Sequence, residues 1–279
     1  MCIRDRDGTV QSFLNHSIDY VDDARRAAAA AYPSIGVLKL GTGNAISAYT
    51  GAEDYLPDLQ RMVGWRARRQ KTSLIEVEGQ QCHFAGFGLD AAILNDYLEV
   101  KDTWLGKKLR YALSVPAVTL PKQFLNWFSK YPLVHIINEG RPAYRIGPHG
   151  QTIGRPIATG ETIYHGPMLI AGAATTPYYG YGLKLYPHVE RRPGTMQLRV
   201  AWASPIETIS RLPSVWNGTC LSKNIRDFYC DKIRFVFDQD APFQIGGDGA
   251  GTRQEATFSL SEHTIELIDL TEPENTTIN

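Results

Sequence analysis

Two short polar turns hold the residues best suited to chemistry in this 279-residue chain. Asp7-Gly8-Thr9-Val10 stands near the start, and Gly41-Thr42-Gly43-Asn44 follows the apolar run Ile35–Leu40. Behind the second turn, Ala45–Tyr49 reads as the first turn of a helix. A strand, a glycine turn and a helix in succession free backbone N–H groups to grip a phosphate. Glycine serves there because a Cβ would block close approach of the backbone to the anion. Thr9 and Thr42 add hydroxyl donors, and Asn44 suits a helix cap. Asp7 would repel a bare phosphate, so its carboxylate fits better beside Mg²⁺ or a ribose hydroxyl. Each tetrapeptide taken alone is equally readable as an ordinary turn.

These turns need elements to hold them. Residues 9–32 read as helical, closing on Ala27–Ala31 before Pro33, and residues 57–69 read as a second helix. Arg66, Arg68 and Arg69 would form the solvated, dipole-favoured end of that second helix. From Thr72 the texture changes to short apolar or alternating runs punctuated by Gly and Pro: residues 73–77, 83–86, 134–138, 168–171, 197–203, 232–237, 255–260 and 264–270. Two helical stretches, 92–115 with a break and 118–130, interrupt them. Gly246-Gly-Asp-Gly-Ala-Gly251 imitates a phosphate loop, but Glu255–Leu260 after it alternates like a strand, so a hairpin turn is expected. The pattern is α/β plus β, with the change of character near residues 70–75.

In order along the chain, Asp7-Gly8-Thr9-Val10 and Leu40-Gly-Thr-Gly-Asn-Ala45 resemble the nucleotide-binding motifs of the diacylglycerol kinase catalytic domain family, which includes sphingosine kinases and bacterial lipid kinases. Phe84-Ala-Gly-Phe-Gly-Leu-Asp90-Ala is similar to the family's Gly-x-Gly-x-Asp-Ala segment, and Leu105-Gly106 with Leu109-Arg110-Tyr111 is similar to its Leu-Gly…Arg-Tyr helix. Tyr178–His188 resembles its glycine-rich strand ending in Pro-x-Ala. The resemblance implies a partial three-layer α/β nucleotide-binding domain over residues 1–72 and a β-sandwich-like lipid kinase C-terminal domain with inserted helices over 73–279. It implies ATP and Mg²⁺ as cofactors, with Asp7, Gly8, Thr9, Gly41, Thr42, Gly43 and Asn44 around the nucleotide. Arg110 would contact phosphate, its plain alternative being an exposed helix arginine. Asp90 would contact the lipid head group or orient the base, its plain alternative being a helix N-cap.

The chain departs from the family in three places. Residues 1–6, Met-Cys-Ile-Arg-Asp-Arg, stand where two glycines should precede Asp7; they lack strand character and read as foreign to the fold, as expected of an N-terminally truncated sequence. Ile35–Leu40 would then be an apolar strand short of neighbours, an aggregation liability. The family's Asp-Gly-Glu, whose aspartate is the proposed general base, reads Gly246-Gly247-Asp248 here, which leaves Asp248 as the candidate catalytic base. Where bacterial members hold a structural Mg²⁺ on an Asp-Gly-Leu turn, this chain has Pro193-Gly194-Thr195, so loss of that metal site is expected.

Composition narrows the function class. With 29 basic and 29 acidic residues the net charge is zero, which gives no general pull toward nucleic acid. Cys2, Cys82, Cys220 and Cys230 lack paired metal spacing and suit a reducing compartment, and the seven histidines are scattered, against a zinc enzyme. No apolar run approaches the ~20 residues that span a bilayer. A soluble, cytoplasmic protein is expected, peripheral at a membrane where its lipid substrate lies. Trp104, Phe124, Trp127 and Phe128, interleaved with Lys107, Lys108, Lys122 and Lys130, read either as core aromatics with a solvated rim or as a lipid-facing surface. The expected function is ATP-dependent phosphorylation of a lipid hydroxyl, the acceptor being diacylglycerol, a sphingoid base or another amphiphile. A non-catalytic nucleotide- or lipid-binding relative and an NAD-kinase-like enzyme with a soluble substrate are the alternatives.

Overall fold

The computed structural model describes residues 2–4, 11–16, 34–40, 44–63, 68–101 and 131–271. Those residues form a mostly antiparallel sheet with few helices. Twelve strands join in one sheet: β3 (Arg68–Val77), β4 (Gln80–Cys82), β5 (Phe84–Gly88), β6 (Leu133–Asn138), β7 (Ala143–Ile146), β8 (Thr152–Ile157), β9 (Thr162–Pro167), β10 (Ile170–Ala174), β11 (Met196–Ala201), β12 (Ile225–Cys230), β13 (Lys232–Ile245) and β14 (Asp248–Asp269). Its main path runs β4-β3-β14-β13-β5-β10-β11-β12-β7-β8, with β6 paired to β13 and β9 to β6. A second, two-stranded parallel sheet joins β1 (Cys2–Arg4) to β2 (Gly36–Leu38). Ile35 ties it to the larger sheet, donating its N–H to Glu266 O and accepting from Ile268 N–H.

Alternation along the strands divides the large sheet into two faces. Phe87, Phe235, Phe237, Phe243 and Phe258 meet on one face, with Phe87 at 4.6 Å from both Phe237 and Phe243 between ring centroids. Stacked and tilted rings of this kind add to the area they bury. At the far end of β14, Ile265 and Leu267 pack with Leu74 of β3, Leu14, Ile35, Val37 and Ile46 in a smaller core. The C-terminal strand thus returns to the N-terminal part.

Helices are few: residues 11–16 (α1), α2 (Ala45–Tyr49), α3 (Tyr55–Val63), α4 (Leu89–Lys101) and α5 (Pro205–Trp216). Residues 17–33 and 102–130, which hold the rest of the first expected helix and most of the two later ones, lie outside the described residues, as do Trp104, Phe124, Trp127 and Phe128.

Several expectations are corrected. The helix expected over 57–69 is α3, which starts two residues earlier and stops at Val63; Arg68 and Arg69 open β3 instead. There Arg68 pairs with Asp269 directly opposite it across the sheet, and Arg69 reaches Glu266 diagonally. Residues 2–4, expected to lack strand character, form β1 beside the apolar β2, so β2 is paired and not an open edge. The Tyr178–His188 segment is a turn with one isolated bridge, Gly180 to Leu183, since Tyr181 takes the left-handed conformation and Pro187 cannot donate to a ladder. Helix α5 was not expected, although Ser204-Pro205-Ile-Glu207 writes its start: Ser204 Oγ accepts from Glu207 N–H and proline occupies the first turn.

Two glycines test the backbone reading. Gly88 has φ 128°, and a Cβ there would lie 2.2 Å from Leu169 O, whereas Gly79 has φ 75° with nothing within 4 Å. Gly88→Ala is expected to cost about 2 kcal/mol or more and Gly79→Ala about 1 kcal/mol, read from denaturant midpoints. Equal costs would contradict the close approach of β5 to Leu169.

Candidate active site

Phe84, 2% exposed, opens β5 and stands where four segments meet. Its carbonyl accepts from Gly246 N–H at 2.8 Å, which fixes the turn between β13 and β14. Its ring lies 4.5 Å from that of Tyr179, whose hydroxyl donates to Asp90 Oδ2 at 2.5 Å. Its side chain packs with Ala45 of α2, Ala174, Leu185 and Tyr186. On the other side, Gln11 of α1 leans over Gly246.

The turn is the hairpin expected from the sequence: Ile245 pairs with Asp248, and the two loop residues Gly246 and Gly247 have φ 61° and 91°. Such a two-residue loop needs positive φ at both positions, hence Gly-Gly. Gln244 Oε1 accepts from Gly247 N–H at 2.9 Å and stiffens it. A Cβ on Gly246 would stand 1.3 Å from Gln11 Oε1, so the Gln11 side chain fills the volume a side chain at 246 would need. Asp248, the candidate base, is exposed at the first residue of β14.

Asp90 belongs to the first turn of α4, one residue inside the helix and not at its cap. Burial pushes its carboxyl above the ordinary range, and hydrogen bonds from Tyr179 and the Ala91 N–H offset part of that. Its Oδ1 is covered and accepts no hydrogen bond of good geometry. Burial, and then the neighbouring Asp90 charge, raises the Tyr179 phenol well above its usual value, so it stays a proton donor. Asn44 precedes α2 with φ 52° and makes no side-chain cap; a left-handed residue starts the helix in place of the expected side-chain bond. Asp7, Gly8, Thr9, Gly41, Thr42, Gly43 and Arg110 lie outside the described residues. The flanking elements α1 and α2 nevertheless reach the site, through Gln11 and Ala45.

The face of the sheet beneath Phe84 holds a polar row that the sequence reading missed. Gln244, Gly86, Gly172, Arg199 and Asp227 are consecutive partners on β13, β5, β10, β11 and β12. Arg199 grips Asp227 through two bonds of 2.8 and 2.9 Å, and Gln197 Nε2 adds a third at 2.9 Å. A Cβ at Gly172 would meet Tyr186 Oη at 2.7 Å, so the glycine admits that tyrosine over the row. The signal was present: Arg199 between Leu198 and Val200, and Gln244 between Phe243 and Ile245, are polar interruptions of apolar runs. Among the described residues, no group of three His, Cys, Asp or Glu side chains is placed to hold a metal ion.

No family model matches the chain, and no curated protein matches it. Solved structures do. A "putative diacylglycerol kinase" from Bacillus anthracis str. Sterne matches with a TM-score of 0.62 at 14% identity, over 96% of this chain and 77% of that one. A second structure so described, from the same organism, has a TM-score of 0.56 at 14% identity over 85% and 69%. A third, described as a diacylglycerol kinase from that organism, has 0.55 at 13% over 96% and 75%. The chain has the diacylglycerol kinase fold. At these identities the likeness is one of fold.

Two buried titratable groups flank Phe84 in this diacylglycerol kinase fold. His83, edge-on at 4.5 Å, has neither ring nitrogen hydrogen-bonded among the described residues, and burial pulls it down to about 4. An imidazole held neutral stabilises the fold above its unfolded value of ~6.5, and that contribution is lost as pH falls through the window toward 4. Asp90 has the opposite sign: its raised value favours the protonated folded state, so its charge costs stability once pH exceeds the usual ~3.9 for aspartate. Asp90→Asn, which keeps an acceptor for Tyr179, is expected to raise the melting temperature at pH 8, with the gain shrinking as pH falls through the raised folded value and gone by ~4. A lower melting temperature at pH 8 would contradict the desolvated carboxylate.

Proposed function

We propose that the chain is an ATP-dependent lipid kinase that phosphorylates a hydroxyl of a lipid such as diacylglycerol or a sphingoid base. The observation that carries this is the meeting at Phe84. The segment following the second glycine turn, the hairpin bearing Asp248, and Tyr179 with its partner Asp90 meet at Phe84, and the segment following the first turn reaches the same hairpin through Gln11. The diacylglycerol kinase fold supports the same reading. In it, residues 1–72 belong to the nucleotide side and 73–279 to the lipid side of the site.

In the transfer step, the lipid hydroxyl oxygen forms a bond to the γ-phosphorus as the bond from that phosphorus to the bridging oxygen of ADP breaks. The hydroxyl proton passes to Asp248, an exposed carboxylate on a stiff turn. Asp90, oriented by Tyr179, would hold the lipid head group. Asp7 through Thr9 and Gly41 through Asn44 would cradle the nucleotide, with Arg110 on its phosphates. Mg²⁺ arriving with ATP would neutralise phosphate charge. The carboxylate of Asp7 is a hard oxygen donor of the kind such an ion takes, completed by phosphate and water. One observation favours the second reading, a non-catalytic relative: Gln11, an amide and no base, fills the space beside Gly246.

The test is transfer of labelled γ-phosphate from Mg-ATP into diacylglycerol or sphingosine in mixed micelles. Asp248→Ala is expected to reduce turnover by ~10²-fold or more with ATP affinity unchanged. Full turnover in that variant would remove Asp248 as the base. ATP binding without transfer to any lipid would favour the non-catalytic relative.

A further inference from the structure

Helix α5 carries an apolar stripe that faces away from the protein. Ile206 is 82% exposed, Ile209 63%, Leu212 48% and Trp216 40%. At 100° per residue these four span an arc of about 120°, far wider than isolated exposed leucines elsewhere on a surface would give. Exposed Tyr181 and Leu221 belong to the same neighbourhood: a Cβ at Gly182 would lie 3.9 Å from the Trp216 indole nitrogen, and Arg211 Nη1 donates to Leu221 O at 2.7 Å. Helix propensity does not require this stripe. Ile206 and Ile209 could be polar without loss to the core, because the inward contact comes from Val215.

The charges around the stripe have one sign left over. Lys184, Arg211 and Lys223 are exposed, and the acidic residue among them, Glu207, is occupied by Arg211 at 3.2 Å, Ser222 and Asn224. The helix is also continuous with the candidate active site: Val215 packs against the Ala45–Phe84–Tyr186 cluster, and Trp216 O accepts from Lys184 N–H at 2.9 Å. Apolar residues with a Trp on one face, bordered by a surplus of positive charge, match the interface of an anionic bilayer.

We infer that the outward face of α5, built from Ile206, Ile209, Leu212 and Trp216, docks the protein on an anionic lipid surface. The choice of a bilayer as partner rests on the lipid-kinase reading; the stripe and its charge do not. Docked in this way, the helix sets the Phe84 site directly behind the membrane contact, where an acceptor leaving the bilayer has a short path.

Cosedimentation of the full chain with vesicles tests this, using phosphatidylcholine alone and phosphatidylcholine with about one third phosphatidylglycerol. The unaltered chain is expected to bind the anionic vesicles better. The double variant Ile206→Ser with Ile209→Ser is expected to lose about tenfold in partitioning at an unchanged melting temperature. Lys223→Gln, as a second variant, is expected to weaken binding to the anionic vesicles alone. Equal binding by the double variant, or no binding by the unaltered chain, overturns the docking face. So does a self-association in sedimentation velocity that the double variant abolishes, since a second copy would then cover the stripe. Phosphoryl transfer to a short-chain monomeric diacylglycerol separates the two claims. Transfer without vesicle binding overturns docking alone, and vesicle binding without transfer to any lipid overturns the kinase reading alone.

Discussion

Backbone and ring of Phe84 work on different neighbours, and the site depends on both. The carbonyl holds Gly246, and through it the hairpin that presents Asp248; the ring packs on α2 and on Tyr179, and through Tyr179 orients Asp90. Residues as far apart in sequence as Ala45 and Asp248 are thereby held to one β-strand. Glycines on that strand and its neighbours permit the arrangement. Gly86 and Gly172 face each other across β5 and β10, each within about 3 Å of where the other's Cβ would stand. A side chain at Gly172 would lift Tyr186 off the sheet.

The same region holds charge and polar groups that a core built only for stability would exclude. Asp90 sits under a tyrosine with one oxygen covered, and among the described residues His83, Gln244 Nε2 and Arg199 Nη1 find no hydrogen-bond partner. Each such group costs on the order of 1–3 kcal/mol. The phenylalanine cluster on the opposite face and the small core at the end of β14 surround this strained patch with ordinary apolar packing. A patch of unsatisfied donors and a desolvated acid within a well-packed frame is the usual form of a functional site.

Much of this was legible in the sequence, for physical reasons that differ by element. The runs at 73–77, 134–138, 197–203 and 232–237 all became strands, because period-two alternation maps onto two faces of one sheet. The Gly246–Gly247 hairpin was legible because two positive φ values demand glycine-like residues. β7 and β8 escaped notice, since Arg145 and Arg155 break the apolar pattern of partly exposed strands. The end of α3 was misplaced because arginines serve a helix terminus and a strand equally well, and only cross-strand partners at Glu266 and Asp269 decide between them. Tyr179 and Gln11 were out of reach: their importance comes from contacts with Asp90 and Gly246, far away in the chain.

Hydrogen exchange with and without Mg-ATP tests the convergence on Phe84 most directly. The expected result is joint slowing at Ala45–Tyr49, Phe84–Gly88 and Gly247–Gly249, lost at all three together in Phe84→Leu while the fold is retained. Slowing confined to one of these segments, or unchanged in Phe84→Leu, would contradict a site organised around that residue.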